Sequence, residues 1–135
     1  MTLVVGYDGT EGSRTAYARA RELASRLGED VLVVFSFESP RLGGELHDLD
    51  EAIRERGEAV VAEALAEAGD VAVTTQVRMQ GPAEGLIAAA EEVDATMIVV
   101  GSYGERPLRS ALVGATPTRL LHLSERPVLV VRASG

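Results

Sequence analysis

Cysteine is absent from this 135-residue chain, so it has no disulfide, no thiol nucleophile and no thiolate metal site. That absence alone assigns no redox compartment. Lysine is missing too, since every basic residue is arginine, which excludes a Walker-type phosphate lysine and Schiff-base chemistry. A compositional bias explains an arginine-only set as well as selection does, and the exclusion holds in both cases. No apolar run reaches the ~18 residues expected of a membrane span. The first strand-like segment begins at Thr2, which leaves no room for a leader ahead of it. These features predict a cytoplasmic protein without membrane attachment. Basic residues number 13 against 21 acidic ones, for a net charge of -8, so the overall field repels nucleic acid and anionic surfaces. A local basic patch is still compatible with that field. His47 and His122 are far apart and lack helical i, i+4 partners of the metal-binding kind. Gly-x-Ser-x-Gly, His-Glu-x-x-His and Gly-x-Gly-x-x-Gly do not occur, and nothing supplies a clear general base.

What is present is an apolar fraction of 46%, enough for one core, and one domain is expected over residues 1–135. TLVVGY is a β-branched run. SRTAYARARELASRL then places Ala16, Tyr17, Ala20, Leu23, Ala24 and Leu27 on one helical stripe, and Gly28 is a natural stop. VLVVFSF predicts a buried strand. The helical period resumes from Glu45 to Ala68, with Gly57 a weak point inside it. VAVTTQVRM predicts a strand, Pro82 opens a helix, TMIVV is a fourth strand, PTRLLHLS a fourth helix and PVLVVR a fifth strand. Alternating strands and helices with near-continuous apolar strands predict an α/β fold, a parallel sheet covered by helices on both faces. In such sheets ligands bind beyond the carboxyl ends of the strands, where strand order reverses. Asp8 after the first strand and Gly101 to Gly104 after the fourth are expected to converge there.

Gly101 and Gly104 stand where the chain turns off a strand; without Cβ they can adopt positive φ and let a bulky anion approach the amides. Gly114 precedes a helix in which Thr116 is the expected N-cap and Pro117 the first helical residue. The free amides and partial positive charge of such a helix end suit phosphate. Each glycine can also serve a turn alone. Asp8 in Tyr-Asp-Gly can be a ligand contact or a turn residue. Tyr103 can cover a bound nucleotide or stand exposed, and Glu91, Glu92 and Asp94 fit a solvated helix end.

Three segments agree in order and distance with a known pattern: VVGYDGTEGS with Asp8, the spacing Gly101-x2-Gly104-x9-Gly114 after GPAEGLIAAAEEVDATMIVVGS, and RPVLVVR closing the chain. Over essentially its full length the chain resembles the universal stress protein family. The resemblance implies a single Rossmann-like three-layer domain, a five-stranded parallel sheet of order 3-2-1-4-5 and, usually, a homodimer. In one branch it also implies an ATP site formed by this glycine motif; another branch lacks the motif and binds no ATP. Carried over by residue, it puts Asp8 near ribose and base, the Ser36 backbone against adenine, and Val100, Gly101, Tyr103 and Gly104 around ribose and phosphates. Gly114, Ala115 and Thr116 would hold the terminal phosphates, and any Mg²⁺ would be held mainly by phosphates and water.

The chain departs from the pattern at Ala115, where the family expects Ser or Thr, and at Pro117, where the family often has another hydroxyl and the proline lacks an N–H. Arg106 or Arg109 can compensate from the intervening loop, or lie solvated. The expected function is therefore an adenine-nucleotide-binding regulatory protein of the stress response. The alternatives are an interaction dimer that keeps the fold without the ligand, and a slow ATPase or autophosphorylating enzyme, which the missing base disfavours. In the 3-2-1-4-5 order the final strand is an edge. Val128, Leu129, Val130 and Val131 along it invite pairing with a second copy, unless Arg132 and the tail protect them.

Overall fold

Strands as apolar as VLVV or MIVV can bury both faces only if helices cover both sides of the sheet. The computed structural model describes residues 1–39, 46–102 and 114–132. In chain order it contains β1 (Thr2–Gly6), α1 (Glu11–Leu27), β2 (Asp30–Ser36), α2 (Leu46–Ala66), β3 (Val73–Arg78), α3 (Pro82–Glu92), β4 (Met97–Gly101), α4 (Ala115–Leu123) and β5 (Val128–Val131). The strands form one parallel sheet in the order β3-β2-β1-β4-β5, as the resemblance implied.

The two-residue strand period sorts side chains between two cores. Leu3, Val5, Val31, Val33 and Val99 meet α1 and α2 on one face. Val4, Leu32, Val34, Ile98 and Val100 meet α3 and α4 on the other. No helix among the described residues is long and apolar enough to cross a membrane.

Helix boundaries follow local chemistry, in places differently from the periodicity. The first helix begins at Glu11, two residues before the predicted Ser13, because Thr10 caps it: the Thr10 hydroxyl accepts from the Ser13 N–H at 3.3 Å. Gly28 ends it in the left-handed conformation at φ 69° and donates its N–H to the Ala24 carbonyl. Gly57, predicted to weaken the second helix, is instead a packing requirement. A Cβ there would lie 2.6 Å from Phe35 Cδ1, so the bare backbone lets α2 settle on the Phe35 ring.

Tyr17 joins α1 to α2 inside the first core. Its ring is fully buried, its hydroxyl donates to the Ala64 carbonyl at 2.5 Å, and the Arg21 guanidinium lies 4.5 Å above the ring centroid. Burial raises its pKa above the ordinary phenol value, and Arg21 partly offsets that. Tyr17→Phe keeps the packing and removes one buried hydrogen bond, so it should lower the unfolding free energy by about 1 kcal/mol. Urea titration checks this; an unchanged midpoint would show that the bond contributes nothing.

Candidate functional site

β1 and β4 are hydrogen-bonded neighbours at the centre of the sheet, but the helices that follow them pack on opposite faces. The gap between the departing chains is a crevice of about 290 Å³ at the carboxyl ends of the strands. Asp8, Ser36, Val100, Gly101, Gly114, Ala115 and Thr116 all line it. Tyr103 and Gly104, also expected here, lie outside the described residues, as do Arg106 and Arg109.

One wall is apolar. Val34, Leu86 and Val100 line it and belong to the second core. Gly6 lies between them because a Cβ there would sit 2.9 Å from Leu86 Cδ1 and 3.1 Å from Val100 Cγ1. Pro82 opens α3 at the same wall. Ser36 holds that helix start in place: its hydroxyl donates to the Gln80 carbonyl at 2.8 Å and reaches the Gly81 carbonyl at 3.2 Å. A Cβ at Gly85 would lie 1.9 Å from Ser36 Oγ, so only glycine permits this approach.

The polar wall is the turn from β1 into α1. Asp8 Oδ1 accepts from the Thr10 N–H at 3.0 Å and from the Thr10 hydroxyl at 2.5 Å. The Ser13 hydroxyl donates to the Thr10 carbonyl at 3.0 Å and accepts from the Asp8 N–H at 3.3 Å. Asp8 thus forms the turn and lines the crevice at once. Thr10, Ser13, Leu86 and Pro82 were not expected at the site from the sequence. A hydroxyl residue directly before the helix is an N-cap signal that could have found Thr10.

The third side is the start of α4, and here two expectations are corrected. Gly114 is the N-cap in place of Thr116, and Pro117 is the third helical residue, not the first. Gly114 is extended, at φ -63° and ψ 174°. Its N–H donates to the Ser102 carbonyl at 2.6 Å, and its carbonyl accepts from the Thr118 N–H at 3.1 Å. The helix therefore starts at Ala115. Proline is tolerated at the third position because that N–H lacks an intrahelical partner anyway.

Gly101 is corrected as well. It is not among the positive-φ glycines, which are Gly9, Gly28 and Gly69. A Cβ at Gly101 would lie 2.7 Å from the Gly12 carbonyl oxygen and 2.8 Å from its carbon. The bare backbone is required by the start of α1, whatever a ligand needs.

Asp8 is the one acidic residue among the described lining residues, and no arginine is among them. Arg119 of α4 gives its Nε to Glu84 at the start of α3. Glu84 is held below the usual carboxylate range first by its own backbone amide and then by Arg119. Burial raises the Tyr7 hydroxyl above the ordinary phenol value, opposed by Arg14, so it stays protonated at neutral pH. No group of three or more His, Asp or Glu among the described residues is gathered as a metal site.

An open parallel sheet with helices on both faces and a lined crevice at its switch point is the architecture of a ligand-binding α/β protein. Comparison with known sequences narrows that class. The family model described as the universal stress protein family matches residues 1–132, and the chain belongs to that family. A universal stress protein of Thermus aquaticus is 35% identical over 136 residues, covering 97% of this chain and 98% of that protein. A universal stress protein of Mycobacterium tuberculosis is 34% identical over 137 residues, covering 98% of this chain but 45% of its relative. The chain thus spans less than half the length of such mycobacterial relatives. A solved universal stress protein in complex with cAMP is similar at a TM-score of 0.71 and 25% identity, over 99% of this chain and 98% of that one.

The Gly101 contact generates a stability test independent of any ligand. Gly101→Ala forces a methyl against backbone that cannot rotate away, so it should destabilise the protein by about 1–3 kcal/mol. Chemical denaturation without nucleotide is the measurement. Undiminished stability would return Gly101 to a purely ligand-related role.

Proposed function

We propose that this chain is an adenine-nucleotide-binding regulatory protein, in which an occupied crevice biases the segment from Gly101 to Gly114. The observation that carries this is the meeting of Asp8, Ser36, Val100, Gly101, Gly114, Ala115 and Thr116 around one crevice, in a chain of the universal stress protein family. The related protein solved with cAMP supports an adenine ligand. The apolar wall of Val34, Leu86 and Val100 suits the faces of a base, and Asp8 suits ribose hydroxyls. The α4 start suits phosphate. ATP is the form the family resemblance names, with any Mg²⁺ carried on its phosphates.

Restoring the family hydroxyl with Ala115→Ser adds a donor at the first residue of α4. It should strengthen ATP binding about ten-fold while leaving adenosine unchanged, since one hydrogen bond to a charged oxygen is worth about 1.5–3 kcal/mol. Calorimetric titration of both ligands checks this. Equal effects on ATP and adenosine would show that residue 115 does not face phosphate.

A second reading, assembly through the sheet edge, is favoured by β5. Val128, Leu129 and Val130 are only half-buried, and among the described residues no strand pairs with the outer side of β5. An apolar edge of this kind pairs readily with another chain. A homodimer joined along β5 accounts for it and leaves each crevice separate. Light scattering coupled to size exclusion should give a dimer mass that ATP does not alter, and Val130→Arg should give a monomer. A monomeric wild-type protein would refute the dimer.

A further inference from the structure

Ser36 stands two residues beyond Val34 on β2, so its side chain leaves the strand on the face that α3 covers. There it meets α3 and the turn before it at three points. The hydroxyl donates to the Gln80 carbonyl at 2.8 Å and lies 3.2 Å from the Gly81 carbonyl, and the bare backbone of Gly85 closes over it. A Cβ on residue 85 would fall 1.9 Å from Ser36 Oγ and 2.7 Å from Ser36 Cβ.

These contacts adjoin the two residues that α3 contributes to the crevice. Pro82 follows Gly81 and Leu86 follows Gly85, and both line the crevice beside Ser36 itself. The N-cap of α3 is Gly81, which makes no side-chain cap bond, so the hydroxyl of Ser36 ties the helix start to β2 instead. Residues 36 and 85 are complementary, because one leaves the space that the other fills. Turning the hydroxyl aside to admit a methyl would break both of its contacts. A packed wall of this kind shifts when an atom is inserted behind it.

We infer that Ser36, through its hydroxyl, and Gly85, through its missing side chain, position the apolar wall of Pro82 and Leu86 against the base of an adenine nucleotide. Both are positioning residues: the hydroxyl is spent on the turn before α3, and Gly85 is not among the described lining residues. This rests on the adenine-nucleotide reading above and names the groups that shape its base end.

The test is calorimetric titration of the full chain and its variants with adenosine and with ATP. Gly85→Ala should weaken both ligands by the same factor, about ten-fold, because the displaced wall meets the base they share. Alanine is the better helix former, and circular dichroism confirms the fold. Ser36→Ala loses the two contacts but leaves the room, and should weaken both ligands about three-fold. Combining Ser36→Gly with Gly85→Ala clears the space for the methyl, so the pair should bind adenosine more tightly than Gly85→Ala alone by about three-fold. Undiminished adenosine affinity in folded Gly85→Ala, a loss confined to ATP, or a double variant as weak as Gly85→Ala overturns the inference and leaves the adenine site standing. Should Gly85→Ala fail to fold, Ser36→Ala decides, and unchanged affinity for adenosine overturns the inference. Failure of the wild-type protein to bind either ligand overturns both readings.

Discussion

β1 and β4 are paired over Leu3↔Met97 to Val5↔Val99, yet the helices after them leave to opposite faces, and the rest of the molecule is arranged around that divergence. Two chains parting from adjacent strands leave a gap that neither helix fills. The neighbouring groups then determine what the gap can accept. On one face Gly12 at the start of α1 lies against Gly101 at backbone distance. On the other, the Ser102 carbonyl holds the Gly114 N–H while the Ser102 N–H reaches the Val131 carbonyl. One residue past β4 therefore ties the start of α4 to the last residue of β5.

These contacts build a crevice before any ligand arrives. Ser36, Thr10 and Ser13 each use their hydroxyl to hold a turn at the crevice wall, which lowers the ordering cost of binding. The same bonds remove those hydroxyls from the donors available to a ligand. Preorganisation and donor capacity oppose each other at these turns.

Much of this was legible from residues alone. The order of elements followed from apolar periodicity, because strands buried on two faces and helices buried on one leave different spacings. The placement of Asp8 and Gly101 at one crevice followed from a topological rule about strand ends. Local chemistry was read less well. Thr116 looked like a cap because it is a hydroxyl residue before proline, but Gly114 takes that position once Ser102 claims its N–H. Gly57 looked like a weak point because helix propensity is a local quantity, whereas its partner, the Phe35 ring, comes from a different element.

The sequence by itself determined the α/β architecture, the family and the end of the sheet at which a ligand belongs, because these depend on patterns repeated along the chain. Only the tertiary structure decided which glycines serve packing and which donors are already bonded. Gly101 meets Gly12, Gly85 meets Ser36 and Gly114 meets Ser102, and each partner is supplied by a different part of the chain. A hydrogen bond or steric contact of that kind exists only when folding brings its two halves within a few ångströms.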